Sequence, residues 1–198
     1  MGLEDNYVDG QTPLEEDEKE RLLIPTIATR GELDEFEQLN IEQAILWTLN
    51  RSFKVDRIFT ESFIKTLHKR MYGNVWAWAG EFRKTDKNIG VDKWQISIEL
   101  KKLLDDIKFW HSHKTFNPDE CTIWFKHRLV SIHSFPNGNG RHSRLMADII
   151  IEKIYKLPHY TWGSGHLIKQ GDIRTIYLNA IRAADKGDIF PLIQFARS

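Results

Sequence analysis

Apolar residues along this chain recur mostly at three- and four-residue intervals, the spacing that lays one face of an α-helix on a core. From Leu33 the positions Phe36, Leu39, Ala44, Ile45 and Leu49 follow it, which predicts a long helix up to about Leu49. Thr60 is placed to cap a second helix with Phe63, Ile64, Leu67 and Met71 as its buried stripe. Ser97 to about His113 repeats the pattern with Ile98, Leu103, Leu104, Ile107 and Trp110 inward. Asn117-Pro118-Asp119 opens another helix, which carries Ile123, Trp124, Leu129 and Ile132 and delivers His133 at its C-terminal end. Arg141 to about Lys156 follows, with Leu145, Met146, Ile149, Ile150 and Ile154 inward, and Pro158 stops it. Two closing helices are expected near Lys169 to Ala184 and Pro191 to Ala196, with the turn at residues 185–188 between them.

Two stretches depart from this rhythm. Thr12-Pro13 is a plausible start for a short helix in EEDEKERLL, ended by Ile24-Pro25. Between Tyr72 and Gln95 the glycines Gly73, Gly80 and Gly90 break any helix, and residues 84–93 are polar around Asn88-Ile89-Gly90. Short extended segments around an exposed loop fit there, a hairpin in form. The expected fold is one mostly α domain with that small β-hairpin as its only β structure.

Composition adds limits. The chain has 198 residues, 41% hydrophobic and 28% charged, an ordinary soluble balance with enough length for a real core. A single cysteine, Cys121, excludes an internal disulfide and any cysteine-cluster metal site, and fits a reducing, cytoplasmic setting. MGLEDNYVDG has neither a basic start nor an apolar run, so no secretory leader is expected, and no stretch is long and apolar enough to span a membrane. Net charge is zero, which argues against direct nucleic-acid binding. Residues 1–24 hold eight acids against two bases, and the remainder 26 bases against 20 acids. That acidic head reads as a solvated end, with shielding of a cationic pocket as the alternative.

The chemistry concentrates in residues 133–144, HSFPNGNGRHSR. Gly138 and Gly140 permit close backbone approach to a bound group, and unpaired N–H groups at the start of the next helix form an anion site. Arg141 and Arg144 lie three apart, roughly on one side, where guanidiniums grip phosphate oxygens bidentately. Asn139 adds an amide that can orient an oxygen or hold the loop. His133 stands just before this cradle, where a neutral imidazole can take a proton from an attacking hydroxyl. Each piece alone has an ordinary use in a turn or on a surface. Together they point to phosphoryl or nucleotidyl transfer.

The stretch resembles the signature of the Fic (filamentation induced by cAMP) domain, H-x-F-x-[DE]-G-N-G-R-x-x-R, matching it at His133, Phe135, Gly138, Asn139, Gly140, Arg141 and Arg144. WAWAGEFR at residues 76–83 is similar to the family's segment ahead of its flap, and IRTIYLNAIRAADKGDIFPLIQF to its closing helices. The resemblance implies a Fic core over residues 55–198, preceded by an acidic segment and helical extension over residues 1–54. TPLEE and LIPTIATRGELDEFEQLNIEQA resemble the subgroup called mobile mystery protein B. The implied activity is transfer of AMP from ATP to a Ser, Thr or Tyr hydroxyl of a target protein, with Mg²⁺ or Mn²⁺ bridging the phosphates. His133 would be the base. Gly138, Asn139 and Gly140 would cradle the phosphates with Arg141 in support, Arg144 would grip the terminal ones, and Tyr177 would wall the adenine pocket. Lys84, Thr85, Asn88, Ile89, Gly90 and Val91 would form the flap on which the target protein docks.

One position breaks the pattern. The family's metal-binding acid is Asn137 here, an amide without charge, whereas Mg²⁺ favours carboxylates beside phosphates. Three readings stand: transfer with a weaker metal site, transfer of another phosphate-containing group, or a nucleotide-binding module without transfer. The inhibitory pattern [ST]-x-x-x-E-[GN] of many Fic proteins has no match. Restraint would then come from a separate inhibitory partner protein or from a divergent glutamate, Glu32, Glu35 or Glu37. The remaining histidines have plainer uses: His111 and His113 at a helix end as surface groups, His68 and His127 as packing or hydrogen-bonding groups, His142 facing solvent. Trp76, Trp78 and Trp94 are expected to pack near the flap.

Overall fold

The helix that presents His133 begins where its caps say it should. In this computed structural model, which describes residues 13–164 and 170–198, Asn117 accepts from the Glu120 amide while Glu120 reaches back to the Asn117 amide. Pro118 then fills the first helical position. Before it come α1 (Glu16–Lys19), α2 (Arg30–Leu49), α3 (Val55–Ile58), α4 (Glu61–Tyr72) and α5 (Ile96–His113). The capped helix is α6 (Pro118–Ile132), followed by α7 (Asn139–Ile149), α8 (Gln170–Asp185) and α9 (Phe190–Arg197). α7 runs on through a π-helical turn at Ile150–Ile154, so the helix expected to Lys156 widens in its last turn. Thr60 caps α4 by accepting from the Phe63 amide.

Packing proceeds pairwise: α2 on α4, α5 on α6, α6 on α7, and α8 on α9. The main core joins Leu33, Ile41 and Ala44 of α2 to Phe63, Ile64, Leu67 and Met71 of α4, and continues through Leu103, Phe125, Phe135 and Met146. A smaller core under α8 and α9 gathers Ile123, Ala147, Ile151, Tyr160, Ala180 and Leu192. α6 and α7 contribute to both, so the loop between them, which carries the motif, is held on two sides.

Several expectations change. α1 covers only one turn of EEDEKERLL and starts after Glu15; Thr12 lies outside the described residues, as does Lys169, the expected start of the penultimate helix. On α2 only Leu33 and Ala44 of the predicted positions are buried, while Phe36, Leu39, Ile45 and Leu49 are exposed, because the face toward α4 is built from Leu33, Glu37, Ile41, Ala44 and Thr48. Ile98 also points outward. No β-strand occurs among the described residues, only an isolated bridge between Leu22 and Trp76. The hairpin is therefore not seen, because the Thr85 and Val91 carbonyls go to the Arg83 side chain and the Arg83 and Val91 amides to the Ser134 and Ile132 carbonyls, rather than to one another across a ladder.

Candidate active site

Arg83 is the residue that organises this region. Its side chain is fully enclosed. Its Nε donates to the His133 carbonyl at 2.7 Å and its Nη1 to the Thr85 carbonyl at 2.9 Å, while Nη2 donates to the Val91 carbonyl. Its backbone amide donates to the Ser134 carbonyl at 3.0 Å, and the Val91 amide to the Ile132 carbonyl at 3.4 Å. One guanidinium thus closes the flap on itself and fastens it beside His133. Lys87 and Thr85 anchor the same flap to α1, both reaching the Glu18 carboxylate, at 2.6 and 3.1 Å. Asn88 and Ile89 remain exposed at the tip, as do Lys84 and Gly90.

His133 closes α6 in a left-handed conformation, φ 55°, and is 5% exposed. Gly90 packs so tightly on it that a Cβ there would stand 2.6 Å from the His133 Cβ, and Gly90 itself has φ 103°. Burial pushes the imidazole down to about 4, the Arg83 and Lys87 cations add to the shift, and a hydrogen bond with the Val130 backbone opposes it. At neutral pH the ring is uncharged and able to accept a proton.

The loop after His133 is shaped by its own side chains. Asn139 accepts from the Phe135 amide at 3.0 Å and donates to the Phe135 carbonyl at 2.8 Å, so its amide holds the loop and the α7 N-terminus together. Gly138, φ 77°, lies against the Tyr72 ring, where a Cβ would approach Cζ to 2.5 Å. Gly140 has no side chain or loop within 4 Å of where a Cβ would sit, leaving the first turn of α7 open to a ligand. His68 stacks on Phe135 at 3.7 Å. It accepts from the Gly80 amide at Nδ1, so its Nε2–H donates to the Asn137 carbonyl at 3.1 Å. His68 is thus the packing and hydrogen-bonding group expected of it.

His142 does not face solvent. It is buried, with Nε2 3.1 Å from the Ile64 carbonyl, and burial lowers it to about 4. Its i+3 relation to Asn139 turns it into the α4 interface rather than outward between the arginines. His127 pairs with Asp185 at 2.8 Å. His111 lies 3.4 Å from the Tyr155 hydroxyl, and among the described residues no group of three metal-ligating side chains forms. Trp76 and Trp78 are core residues stacked at 5.0 Å, whereas Trp94 is exposed.

The two motif arginines have different surroundings. Arg141 Nη2 lies 2.7 Å from Glu37 Oε2, and its guanidinium sits 5.2 Å from the Tyr72 ring. Glu37 is itself fixed by the Trp76 indole N–H at 2.7 Å. Arg144 stands 5.8 Å from the Tyr177 ring, and the Tyr177 hydroxyl accepts from Lys126 Nζ at 2.5 Å. Tyr177 is thus brought beside Arg144. Lys126 is wholly buried, and that burial draws its ammonium down from the usual lysine range. Spacing alone did not single out Lys126 or Glu18: Lys126 is a charge inside the buried run Phe125–His127, whereas Glu18 lies in an exposed charged run and gives no signal; Arg83 closes the WAWAGEFR segment.

Comparison with known proteins agrees with this geometry. Residues 58–151 match the Fic/DOC family. A protein adenylyltransferase Fic of Aedes aegypti is 29% identical over 136 residues, 67% of this chain and 26% of that protein. The corresponding Drosophila melanogaster protein is 29% identical over 137 residues, again 67% and 26%. The chain thus spans about a quarter of the length of these curated relatives. Among solved structures, Fic-1 from C. elegans superposes with a TM-score of 0.66 at 21% identity, covering 89% of this chain and 50% of that one. BepC from Bartonella tribocorum, solved with bound AMPPNP, gives 0.68 at 17%, covering 92% and 97%. Residues 58–151 are thus similar to the Fic/DOC family, and the chain shares its fold with these solved Fic structures.

Proposed function

We propose that this chain is a protein adenylyltransferase, moving AMP from ATP to a Ser, Thr or Tyr hydroxyl of a target protein. The observation that carries the reading is His133, a buried, uncharged imidazole packed against the flap glycine Gly90 and followed in the chain by the open N-terminal turn of α7. In the reaction the target hydroxyl gives its proton to His133 as its oxygen attacks the α-phosphorus. The bond to the β-phosphate oxygen breaks, and pyrophosphate leaves. The α7 N-terminus at Gly138 and Gly140, with Arg141 and Arg144, balances the charge that builds on the phosphates. Asn139 acts through the loop it closes, and Tyr177 lines the adenine side.

As a Mg²⁺ or Mn²⁺ site the residues fit poorly. Asn137 offers one uncharged oxygen, already 2.5 Å from the Gly138 amide, where such ions favour a carboxylate. No step is therefore routed through a metal. The same residue favours the second reading, a nucleotide-binding module with little or no transfer. Label from α-labelled ATP appearing on protein, and vanishing with His133→Ala, supports the first reading. ATP binding without label on any protein supports the second, and label only from the γ-phosphate supports transfer of another group.

The finer parts of the reading extend the same proposal. The exposed flap tip at Asn88 and Ile89 is where the target chain docks. Glu37 is engaged by Arg141 rather than by the second motif arginine, Glu32 caps α2, and Glu35 is exposed. Restraint in this reading comes from a separate inhibitory protein. The segments that form α1 and α2 support placement in the mobile mystery protein B subgroup, and no helix among the described residues is long and apolar enough to cross a membrane. A cytoplasmic setting belongs to the same reading.

A further inference from the structure

α2 buries one face on α4 and leaves a row of large apolar side chains on the opposite face, interleaved with exposed Glu35 and Glu42. On that outer face Phe36 is 41% exposed, Leu39 57%, Leu46 56% and Leu49 53%. Four large apolar side chains on one exposed helix face are a cost in solution unless something covers them. Their order is informative. The intervals run three, seven, three, so the row reads the same from either end about a midpoint between Glu42 and Gln43. A symmetric row is self-complementary when two copies meet antiparallel: Phe36 then faces Leu49 of the second copy, and Leu39 faces Leu46.

Charge selects the same orientation. The N-terminal half of the helix carries exposed Glu32, Asp34 and Glu35 against a single cation, Arg30, which pairs with Asp34, and the chain leaves its C-terminal end through exposed Arg51 and Lys54. A parallel pair would set acids against acids, whereas an antiparallel pair sets acids against bases and opposes the helix dipoles. The polar midpoint, Glu42 and Gln43, lies at the crossing.

We infer that the outer face of α2 is an isologous homodimer interface, formed by two copies of this helix packed antiparallel about the Glu42–Gln43 midpoint. This inference does not depend on the enzymatic reading. The decisive experiment uses sedimentation velocity on the full chain and on two single variants, Leu39→Glu and Leu46→Lys, each checked for native far-ultraviolet circular dichroism. The wild-type mass is expected to double with rising concentration, and each variant to stay monomeric. An equimolar mixture of the variants is expected to regain the dimer, because the antiparallel register sets the introduced carboxylate against the introduced ammonium and keeps one leucine pair intact. A wild-type chain monomeric at every concentration, a dimer that survives either substitution, or a mixture that stays monomeric would each overturn the inference.

Discussion

Arg141 of the motif helix and Glu37 of the N-terminal extension form an ion pair at 2.7 Å, and the Trp76 indole holds the other carboxylate oxygen. The pair ties α2 directly to the phosphate cradle. Glu37 is nearly enclosed while the guanidinium keeps about a third of its side chain exposed. Removing the acid leaves a partly exposed cation and a buried indole N–H without their acceptor. Glu37→Ala is expected to lower unfolding free energy by about 2 kcal/mol, less than a fully buried pair would lose because solvent reaches Arg141. Urea denaturation checks this. Nucleotide affinity, read by calorimetry, is expected to fall as Arg141 loses its orientation; a rise would mean that Glu37 holds the arginine back from phosphate.

Acid stability follows from the buried imidazoles. His133 and His142 both sit at about 4, below the ordinary histidine value. A depressed histidine favours the folded state fully above about 6.5, and that advantage is lost as pH falls through 4, on the order of 3 kcal/mol per group. Asp148, raised to about 6 chiefly by burial, works in the opposite sense: its protonated form favours folding, and that contribution fades as pH rises through 6. The two histidines outweigh the one acid, so the unfolding midpoint is expected to drop between pH 6.5 and 4. Asp148→Asn is expected to steepen the drop by removing the offset.

Gly90 is the next test. With φ 103° and the His133 Cβ in the way, an alanine there cannot be seated without moving the flap. Gly90→Ala is expected to cut label transfer by about tenfold or more, since misplacement by an ångström near the reacting groups has that scale of effect. ATP affinity, governed by the far side of the site, is expected to change little.

Asn137→Asp supplies a carboxylate at the one motif position where the Fic pattern has an acid and this chain an amide. In Mg²⁺ it is expected to raise transfer on the order of tenfold, because a carboxylate beside the phosphates strengthens metal binding. Comparison with the wild type at several Mg²⁺ concentrations is the check. An unchanged rate would mean that the arginines and the α7 N-terminus already carry the phosphate charge alone.

Helix positions were legible because their ends are local chemistry: Thr60 and Asn117 each bond the amide three residues on. The cradle was legible because its parts are contiguous. What escaped is what depends on partners far along the chain. His142 reads as polar and outward until Ile64, 78 residues away, supplies its acceptor. The apolar stripe on α2 gave the right helix and the wrong face, since Glu37 is buried by Arg141 and Trp76 while Leu39 is left outside. The flap reads as a hairpin by its glycines, yet Arg83 takes the carbonyls a ladder would have used.

That arginine has a consequence for how such a site evolves. The same guanidinium holds the carbonyl of His133 and the two carbonyls that shape the flap. Under the proposed function, selectivity for a target and reactivity of the base would therefore share one fastener. A flap altered to suit a new target pulls on the backbone that sets the imidazole. On that reading, sequence change is tolerated at the exposed tip, at Asn88 and Ile89, and is mechanically expensive at the root.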